Sequence, residues 1–555
     1  MEEYKVPIDL FDVTKYEPYC NEKELEIMRR ELLRVLEDAG MENPEVGRAI
    51  CGPSVTTYEV RLPRGYGVHT FLTLTKTIEN ALHMKGVDCY VDYENGVGCI
   101  ALPSKERTNV DLVELWQEGE MAIMNRQRLP IALGKDTKNR NVFYLLDRLG
   151  HMIIGGKEGS GKRTFLHSLI CSLLYQYSPK EVRFVLFGTR SGLDVYNDIP
   201  HLMTKSIITL PREGVHALSW LIEEMDRRYE LLTEMSSNGT YVVNVDQYND
   251  AVEDESKKLP KIVVVIEEFA YFKIGYAELF QQRIMNLKQK ARAAGIIVIL
   301  ATKRTNDYII TKPIRINTMT TVCFQVDSKD DSYAVIERGG AETLLGAGDF
   351  IYETPGLESD MRLQGAYISR ENIKTLVDYL KFHYQWQPYG DLESYLHNEN
   401  VVKQPKERAD GIEPLYIDVL RFAMEWGSVS ISMVQRRFDV GYNKAGKIVE
   451  WMEEKGHISP FDGAKARRVL ITQKEFHRLY ERDDGKNFAG ALKIVVESGG
   501  ASIYTLQRKG GYTLEETREL LEKMEKKRYI TAAKEGEGRK VLMTKEQYQR
   551  RYGND

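Results

Sequence analysis

A glycine-rich segment at residues 151–174, HMIIGGKEGSGKRTFLHSLICSLL, constrains the fold of this chain more than any other feature. It predicts a short apolar strand, a tight turn and then a helix. The turn fits the pattern G-x-x-x-x-G-K, in which backbone N–H groups and a lysine converge on a phosphate at the start of a helix. The predicted nucleotide-binding residues are Gly156, Gly159, Ser160, Gly161, Lys162, Arg163 and Thr164.

The last position of that pattern departs from what a metal site needs. A serine or threonine normally follows the lysine, because its hydroxyl binds Mg²⁺. Here Arg163 follows the lysine, and Thr164 stands one position later. The turn therefore predicts a site for nucleotide phosphates, while its final residue questions metal-dependent catalysis. A glycine-rich turn without any ligand is the alternative, and the strand, helix and lysine in register disfavour it.

Composition excludes several classes of protein. With 555 residues and a net charge of −5, the chain should hold several domains, and any nucleic-acid site must be local. Its six cysteines are scattered without a C-x-x-C pair, which favours reduced thiols in a cytosol over a disulfide framework or a zinc site. No signal peptide or long apolar run is present, so we expect a cytoplasmic protein without a membrane segment of its own.

Hydrophobic periodicity indicates an α/β protein. Residues 22–40 read as a helix, and a strand, a second helix and two short strands follow before Trp116. From about residue 129 to 370, apolar strands alternate with helical segments, which predicts a doubly wound, mostly parallel sheet. Its strands include MIIGG, VRFVLFG, KIVVVIEE, GIIVILAT and TVCFQV.

The C-terminal part of the chain repeats itself. SISMVQR at Ser430 matches SIYTLQR at Ser502, and VLIT at Val469 matches VLMT at Val541, both with an offset of 72 residues (502 − 430). Each copy reads as three helices and a β-hairpin, which is the plan of a winged helix-turn-helix. Two copies at one ungapped offset predict a duplicated domain.

Several stretches together resemble the FtsK/SpoIIIE family of bacterial DNA translocases. The segment GPSVTTYEVRLPRGYGV with CIALPSKER looks like the family's small α domain, and the first winged copy resembles its DNA-orienting γ domain. The resemblance runs from about residue 50 to 475. The stretches that look like the RecA-type motor domain are LPIALGKD, the glycine-rich turn, DIPHLM, EEMDRRYELL, IVVVIEEFA, QKARAAGIIVILATKR, CFQVDSKDDS and GGAETLLGAGDFIY.

The resemblance and the sequence pattern together predict a fold and a domain order. We expect a RecA-like P-loop motor domain with a doubly wound, mostly parallel sheet. A small α/β domain should precede it and two winged-helix domains should follow it. The predicted boundaries are 1–48 for an N-terminal helical segment, 49–125 for the small domain, 126–384 for the motor domain, 385–411 for a linker, and 412–480 and 486–555 for the winged-helix domains.

The resemblance also assigns roles to two carboxylates at the end of a predicted strand. Glu268 matches the family's catalytic glutamate that polarises the attacking water. Glu267 stands where an aspartate normally holds Mg²⁺ through its water shell. The additional methylene of glutamate displaces the carboxylate, and Mg²⁺ tolerates poor octahedral geometry badly.

Other positions depart from the family in the same region. Gly188 replaces an aspartate, and Lys303 replaces a glutamine that senses the γ-phosphate. Thr321 and Tyr333 replace arginines that are expected to face a neighbour's nucleotide. Two interpretations stay open. Arg163 could replace Mg²⁺ by pairing with phosphate oxygens, which would permit ATP binding with weak or absent hydrolysis. Alternatively, Thr164 or a water could restore the metal site and leave a slow motor.

Three hypotheses for the molecule follow from the resemblance. The first is an ATP-binding translocase of double-stranded DNA that forms a homo-oligomer, a hexameric ring by resemblance. The second is a catalytically impaired DNA-binding adaptor that recruits another translocase or recombinase. A coupling protein for conjugative DNA transfer is the third, and it is disfavoured because such proteins commonly need a membrane anchor.

The two winged copies differ in charge at matching positions. The predicted recognition helix of the first copy can read base edges and hold phosphates, whereas a solvated charged face is the less favoured alternative. Glu515, Glu516 and Glu519 of the second copy would repel phosphates, so we interpret that copy as a protein-interaction or packing module. The predicted DNA contacts of the first copy are Arg436, Arg437, Asn443, Lys444, Lys447, Lys465, Arg467 and Arg468.

Overall fold

The computed structural model describes residues 4–118, 126–188, 192–273, 276–305, 309–316, 318, 320–354, 361–397, 414–438, 440–461, 463, 466–480, 486–498, 500–502, 506, 514–531 and 539–552. The chain divides into two compact units, Met1–Lys406 and Glu407–Asp555. Among the described residues, no helix combines the length and the apolar character that crossing a membrane requires.

The first unit begins with a small α/β domain, whose elements are α1 (Glu22–Asp38), β1 (Glu45–Cys51), β2 (Val55–Arg61), α2 (Val68–Leu82), β3 (Asp88–Asp92) and β4 (Val97–Pro103). The four strands form an antiparallel sheet in the order β1-β2-β4-β3. Leu32 and Leu36 of α1 are buried together with Phe71 of α2 and Tyr58 of β2. Helix α1 is therefore part of the core of this domain.

The prediction of six reduced thiols is wrong for one pair of cysteines. Cys20 and Cys51 form a disulfide, with their Cα atoms 5.8 Å apart. The pair joins the segment before α1 to the end of β1 across 31 residues, so the scattered spacing gave no sign of it. The other four cysteines are free and buried.

A ten-stranded mixed sheet organises the rest of the first unit. Its strands are β5 (Val110–Asp111), β6 (Pro130–Asp136), β7 (Asn141–Leu145), β8 (Met152–Gly155), β9 (Val182–Phe187), β10 (Lys261–Ile266), β11 (Ile296–Thr302), β12 (Thr320–Phe324), β13 (Asp349–Glu353) and β14 (Met361–Tyr367). The order is β7-β6-β14-β13-β12-β8-β11-β10-β9, and β5 pairs with β14.

The five strands predicted from their apolar runs form the parallel part of this sheet. Strands β12, β8, β11, β10 and β9 are neighbours in that order, and each adjacent pair is parallel. They are almost entirely buried, which explains their continuous apolar sequences. Strands β13, β14, β6 and β7 extend the sheet in antiparallel fashion. The prediction of a RecA-like P-loop motor fold is confirmed, with an antiparallel extension added to its parallel core.

Eleven further helices of the first unit connect or flank these strands in the described part of the chain. They are α3 (Leu112–Gln117), α4 (Leu146–Leu149), α5 (Lys162–Gln176), α6 (Pro211–Ser237), α7 (Val245–Ala251), α8 (Phe269–Phe272), α9 (Ala277–Lys290), α10 (Lys312–Ile316), α11 (Lys329–Ile336), α12 (Arg370–His383) and α13 (Leu392–Leu396), of which α4, α8, α10 and α13 are single turns.

The first part of the segment predicted as a linker, 385–411, is packed against the motor domain. Trp386 donates its indole N–H to the carbonyl of Leu202 at 2.9 Å. Trp220 of α6 donates to the carboxylate of Asp391 at 2.6 Å, just before α13 begins. Residues 398–413 lie outside the described part of the chain. The composition of the segment concealed these contacts because its partners are more than 150 residues away in sequence.

The second unit contains the two winged-helix domains. The first domain has α14 (Pro414–Trp426), β15 (Ser428–Val429), α15 (Ile431–Phe438), α16 (Tyr442–Glu454), β16 (Arg467–Arg468) and α17 (Gln473–Tyr480). The second has α18 (Lys486–Ser498), β17 (Gly500–Ala501), α19 (Leu514–Lys526), β18 (Arg539–Lys540) and α20 (Lys545–Tyr552).

The bounds of these elements support a duplication. Each element of the second domain begins and ends 72 residues after its counterpart in the first (486 − 414 for α18 and α14). The wing is repeated as well, because the bridge between Ile458 and Val469 recurs between Ile530 and Val541. Each domain has its own buried apolar core, so each copy is built as a separate folding unit.

Candidate functional site

The glycine-rich turn joins the end of β8 to the start of α5, as its sequence predicts. Gly156, Gly159 and Gly161 all have positive φ angles, of 150°, 76° and 119°. Space is limited at two of them: a Cβ on Gly161 would lie 2.6 Å from the backbone nitrogen of Gly348, and one on Gly156 would lie 2.6 Å from the Cβ of Phe324. The turn therefore needs glycine both for its backbone conformation and for its close packing.

Lys162 is folded back over this turn at the first position of α5. Its ammonium donates to the carbonyl oxygens of Gly156 at 2.5 Å and Lys157 at 2.7 Å. Burial lowers the pKa of Lys162 to about 8, because the charged form loses hydration, while the nearby Glu268 carboxylate opposes this shift. The lysine is thus held at the helix N-terminus, where phosphate oxygens would bind.

Arg163 and Glu267 form an ion pair in the same region. The Nε atom of Arg163 donates to Oε1 of Glu267 at 2.6 Å. The Glu267 side chain is 7% exposed and the Arg163 side chain is 54% exposed. A partly exposed arginine on the cavity wall is thus the counter-charge of a buried carboxylate. These two residues stand where a hydroxyl and an aspartate would normally cooperate on Mg²⁺, and here they bind each other.

Two glycines provide the room for the longer carboxylate of Glu267. A Cβ on Gly192 would lie 2.3 Å from Oε1 and 2.4 Å from Oε2 of Glu267. A Cβ on Gly188 would lie 3.0 Å from Oε2 of the same residue. The glycine at 188, where the resemblance implied an aspartate, therefore belongs to the same arrangement as the glutamate at 267.

Glu268 is held by the end of strand β11. The hydroxyl of Thr302 donates to one carboxylate oxygen at 2.7 Å, and the backbone N–H of Lys303 donates to the other at 3.1 Å. A carboxylate oxygen has two lone pairs, so each can still accept a bond from a water molecule. The Lys303 ammonium lies 3.6 Å from the carboxylate of Glu158 in the glycine-rich turn.

A cavity of about 630 Å³ brings most of the predicted site residues together. Ser160 has a different position: it is buried, and its hydroxyl donates to the carbonyl of Lys157 at 2.7 Å, which stabilises the turn. Asn109, Gln364 and Tyr367 line the cavity although sequence reasoning missed them, since they belong to no phosphate-binding pattern. The predicted residues that line it are Gly159, Gly161, Lys162, Arg163, Thr164, Glu267 and Glu268, with Lys303.

A Mg²⁺ ion, which the phosphate-binding pattern implies, does not fit these residues. The carboxylate at the metal position is bound by a guanidinium, and the side chain after the lysine is that same cation. Among the described residues, no group of three or more His, Cys, Asp or Glu side chains is placed to hold a metal.

Thr321 and Tyr333, which stand where the resemblance implies arginines that face a neighbour's nucleotide, interact with residues of their own chain. Thr321 donates to Glu353 at 3.4 Å, and the Tyr333 ring faces the Lys329 ammonium at 5.7 Å.

The predicted recognition helix of the first winged-helix domain, α16, has one charged face. Asn443, Lys444 and Lys447 are exposed on it, whereas Ile448 and Val449 are buried in the domain core. This separation agrees with helical periodicity and leaves the predicted DNA contacts on the solvent side. Their contact with DNA stays a prediction.

Arg467 is a predicted DNA contact that interacts with residues of its own domain. Its guanidinium pairs with Glu453 at 3.0 Å, lies over the Phe461 ring at 5.1 Å and leaves the side chain 14% exposed. The second copy repeats the ion pair as Arg539 with Glu525, at 3.6 Å. A pair present in both copies points to a scaffolding contribution in the wing.

Arg468 of the same strand is exposed. The remaining predictions fall on residues or side chains outside the described part of the structure, namely Lys465 and the side chains of Arg436, Arg437, Glu515, Glu516 and Glu519.

Comparison with known proteins places these features in a family context. A model of the FtsK/SpoIIIE family matches residues 112–307, and a model of the Ftsk gamma domain matches residues 410–472. A DNA translocase FtsK from Haemophilus influenzae is 33% identical over 456 residues, covering 77% of this chain and 84% of the relative. One from Caldanaerobacter subterraneus is 32% identical over 481 residues, covering 86% of this chain and 65% of the relative.

The chain spans less than two thirds of several of these relatives, for example 60% of the DNA translocase FtsK from Halalkalibacterium halodurans. Among solved structures, the conjugation coupling protein TcpA of pCW3 with ATPγS is 18% identical, with a TM-score of 0.43, covering 64% of this chain and 99% of that one. The type VII secretion ATPase EccC of Thermomonospora curvata is 20% identical, with a TM-score of 0.42, covering 51% of this chain and 35% of that one.

Proposed function

This chain belongs to the FtsK/SpoIIIE family, and from that premise we propose that it is an ATP-binding, ring-forming translocase of double-stranded DNA with weak ATP hydrolysis. The single observation that carries the proposal is the combination at the cavity: a complete glycine-rich phosphate turn with Lys162, beside an Arg163–Glu267 ion pair at the position of the metal. Because its substrates are DNA and ATP, we place it in the cytoplasm.

Nucleotide binding is supported by the geometry of the turn. Lys162 stands at the N-terminus of a 15-residue helix, where the helix dipole and the backbone N–H groups favour an anionic phosphate. In this proposal Lys162 contacts the β- and γ-phosphates, Lys303 contacts the γ-phosphate, and Glu268 orients the attacking water. In ordinary P-loop proteins a bound Mg²⁺ would supply positive charge against the phosphates.

The proposal of weak hydrolysis follows from the interactions that the carboxylates of Glu267 and Glu268 already make. Glu267 is neutralised by Arg163, and both oxygens of Glu268 already accept hydrogen bonds from Thr302 and Lys303. The carboxylate that would help to hold a metal is therefore paired with a guanidinium, and in P-loop enzymes the metal neutralises charge that develops during hydrolysis. Nucleotide can therefore be held while its hydrolysis is slow.

Double-stranded DNA is supported as the polymer substrate by the first winged-helix domain. Its recognition helix exposes Asn443, Lys444 and Lys447, and the gamma-domain model covers the domain up to the start of α17. Lysines hold phosphates while an amide reads base edges. We assign the second winged-helix domain to contact with a protein partner, since Glu515, Glu516 and Glu519 occupy the matching positions.

A second candidate is favoured by the same ion pair. If hydrolysis is absent, the protein is a DNA-binding adaptor on a motor scaffold that recruits another translocase or recombinase. The separating experiment measures ATP hydrolysis with and without duplex DNA, beside calorimetric titration with ATP and ADP. We expect binding with slow, DNA-stimulated hydrolysis, and no binding by Lys162→Ala. Lys180→Ala is the control, because Lys180 is exposed in the turn beyond the other end of α5.

Each outcome of that experiment has a defined meaning. Binding without any hydrolysis selects the adaptor. Absence of nucleotide binding by the unmutated protein, with and without Mg²⁺, overturns both candidates. Sedimentation of the full chain with nucleotide and duplex DNA tests the ring, which we expect to appear as a single large homo-oligomer. A species that stays monomeric under those conditions would contradict it.

A further inference from the structure

The ion pair of Arg163 and Glu267 suggests more than slow catalysis. We infer that Arg163 replaces the divalent cation in nucleotide binding, so that the phosphate oxygens contact its guanidinium directly and binding is independent of metal. This inference rests on the proposed nucleotide binding. It concerns only the phosphate site and does not require hydrolysis.

The first argument is the position of the two charges. The Arg163 guanidinium lies 2.6 Å from Oε1 of the Glu267 carboxylate, so a metal ion bound there would be repelled by an adjacent cation unless it displaced the guanidinium. Displacement would leave the arginine without its buried counter-charge. A guanidinium has five N–H donors, and this bond uses one of them. The other donors can serve phosphate oxygens, since Arg163 lines the cavity beside Lys162.

The second argument is that the backbone around Glu267 is built for this pair. With alanine or any larger residue at Gly192, the Cβ would lie 2.3 to 2.4 Å from the carboxylate oxygens. An aspartate at Gly188 would place a second carboxylate against the first, since the Cβ alone would lie 3.0 Å from Oε2. Like charges so close are unfavourable. The longer glutamate that reaches Arg163 therefore depends on glycine at both positions.

The third argument is the kind of cation that lines the cavity. Lys162, Arg163 and Lys303 lie around the space where the phosphates bind, together with the carboxylates of Glu158, Glu267 and Glu268. Arginine recognises phosphate through planar, charge-assisted hydrogen bonds and always carries its charge. A fixed cation at the first turn of α5 thus supplies the attraction that a bound metal would otherwise add.

The test is isothermal titration of the full chain with ATP and with ADP, in Mg²⁺ and in EDTA. We expect the two dissociation constants of the unmutated protein to differ less than fivefold. In Arg163→Ser, which restores a hydroxyl after the lysine, the affinity in EDTA should fall at least tenfold and Mg²⁺ should recover it. The control Lys180→Ser removes one positive charge beyond the other end of the same helix and should behave like the unmutated protein.

The outcomes separate the inference from the proposed function. If Mg²⁺ strengthens binding by the unmutated protein fivefold or more, the inference is wrong while nucleotide binding stands. If the unmutated protein binds no nucleotide in either buffer, both are wrong. The comparison of Mg²⁺ with EDTA in the unmutated protein needs no variant, so a failure of Arg163→Ser to fold would not prevent a decision.

Discussion

At the scale of single residues, the site is determined by partners that are far apart in sequence. Arg163 and Glu267 are 104 positions apart, yet they form one ion pair. Gly192 leaves room for the Glu267 carboxylate because it has no Cβ, and this close approach is not part of any sequence motif. Arg163, Gly188 and Glu267 are separate departures in the sequence, and only the fold shows that they are connected.

The pKa of Lys162 leads to a prediction about pH. Burial lowers it to about 8 in the free protein, and a bound phosphate would raise it by favouring the charged ammonium. The contribution of Lys162 to affinity should therefore be complete below pH 8 and decrease as the pH rises above it, by up to about tenfold per unit. Titrations from pH 6.5 to 9.5 measure this, and Lys162→Arg should remove the dependence. A constant affinity over that range would contradict the assigned role.

Gly192 leads to a prediction about stability. Its φ is one that alanine adopts readily, so Gly192→Ala should be costly only through the Glu267 carboxylate, by about 1–3 kcal/mol. Glu267→Asp shortens that side chain and should recover most of the loss in the double variant. Thermal unfolding of the full chain measures the stability of the four proteins in this double-mutant cycle: the unmutated protein, each single variant and the double variant. Gly47→Ala, where the nearest atom would lie 3.6 Å from the Cβ, is the matched control.

At the scale of secondary-structure elements, the two winged-helix domains share a scaffold and differ in surface charge. Their elements and the Arg467–Glu453 and Arg539–Glu525 pairs recur at the same offset. A lysine–phosphate contact releases counterions, so binding that depends on such contacts weakens steeply with salt. The first domain, residues 412–480, should therefore bind duplex DNA with a strong salt dependence, and the second, residues 486–555, should bind it far more weakly.

Variants of the full chain test the same difference in DNA binding between the two winged-helix domains. Reversing Lys444 and Lys447 to Glu should weaken DNA binding and reduce the salt slope by nearly two contacts. Lys455→Glu, which reverses one charge at an exposed position beyond the other end of α16, is the control for each single reversal. Fluorescence anisotropy over a salt series gives both quantities. Equal affinity of the two isolated domains for duplex DNA would refute the assignment of the second domain to a protein partner.

The elements also show what sequence patterns can predict. The parallel strands were predictable because strands buried on both faces have continuous apolar runs. Strands β13 and β14 were not, since an antiparallel extension depends on pairing between distant segments. The docking of α13 and the disulfide between Cys20 and Cys51 escaped prediction for the same reason. The glycine-rich turn was predictable in detail because its residues are local.

At the scale of the whole molecule, the central question is whether the protein hydrolyses ATP. Its family membership and its phosphate turn support the proposed motor function, while the ion pair at the metal position supports nucleotide binding with slow hydrolysis. These features agree if the departures are compensating changes on an intact scaffold. In that case, reversing them should return activity without any change of fold.

The restored variant Arg163→Ser with Glu267→Asp tests this compensation. Removing the guanidinium frees the carboxylate, and the shorter side chain returns it to the geometry that Mg²⁺ needs. DNA-stimulated ATP hydrolysis should then rise more than tenfold, a change in barrier of about 1.4 kcal/mol. Steady-state phosphate release with and without duplex DNA measures the gain, and adding Lys162→Ala to the restored variant should abolish it.

Arg163→Ser alone should gain less, because the glutamate remains too long. If the unmutated protein already hydrolyses ATP at about 1 per second or faster, as ordinary enzymes do, the site is not impaired and the ion pair must open during turnover.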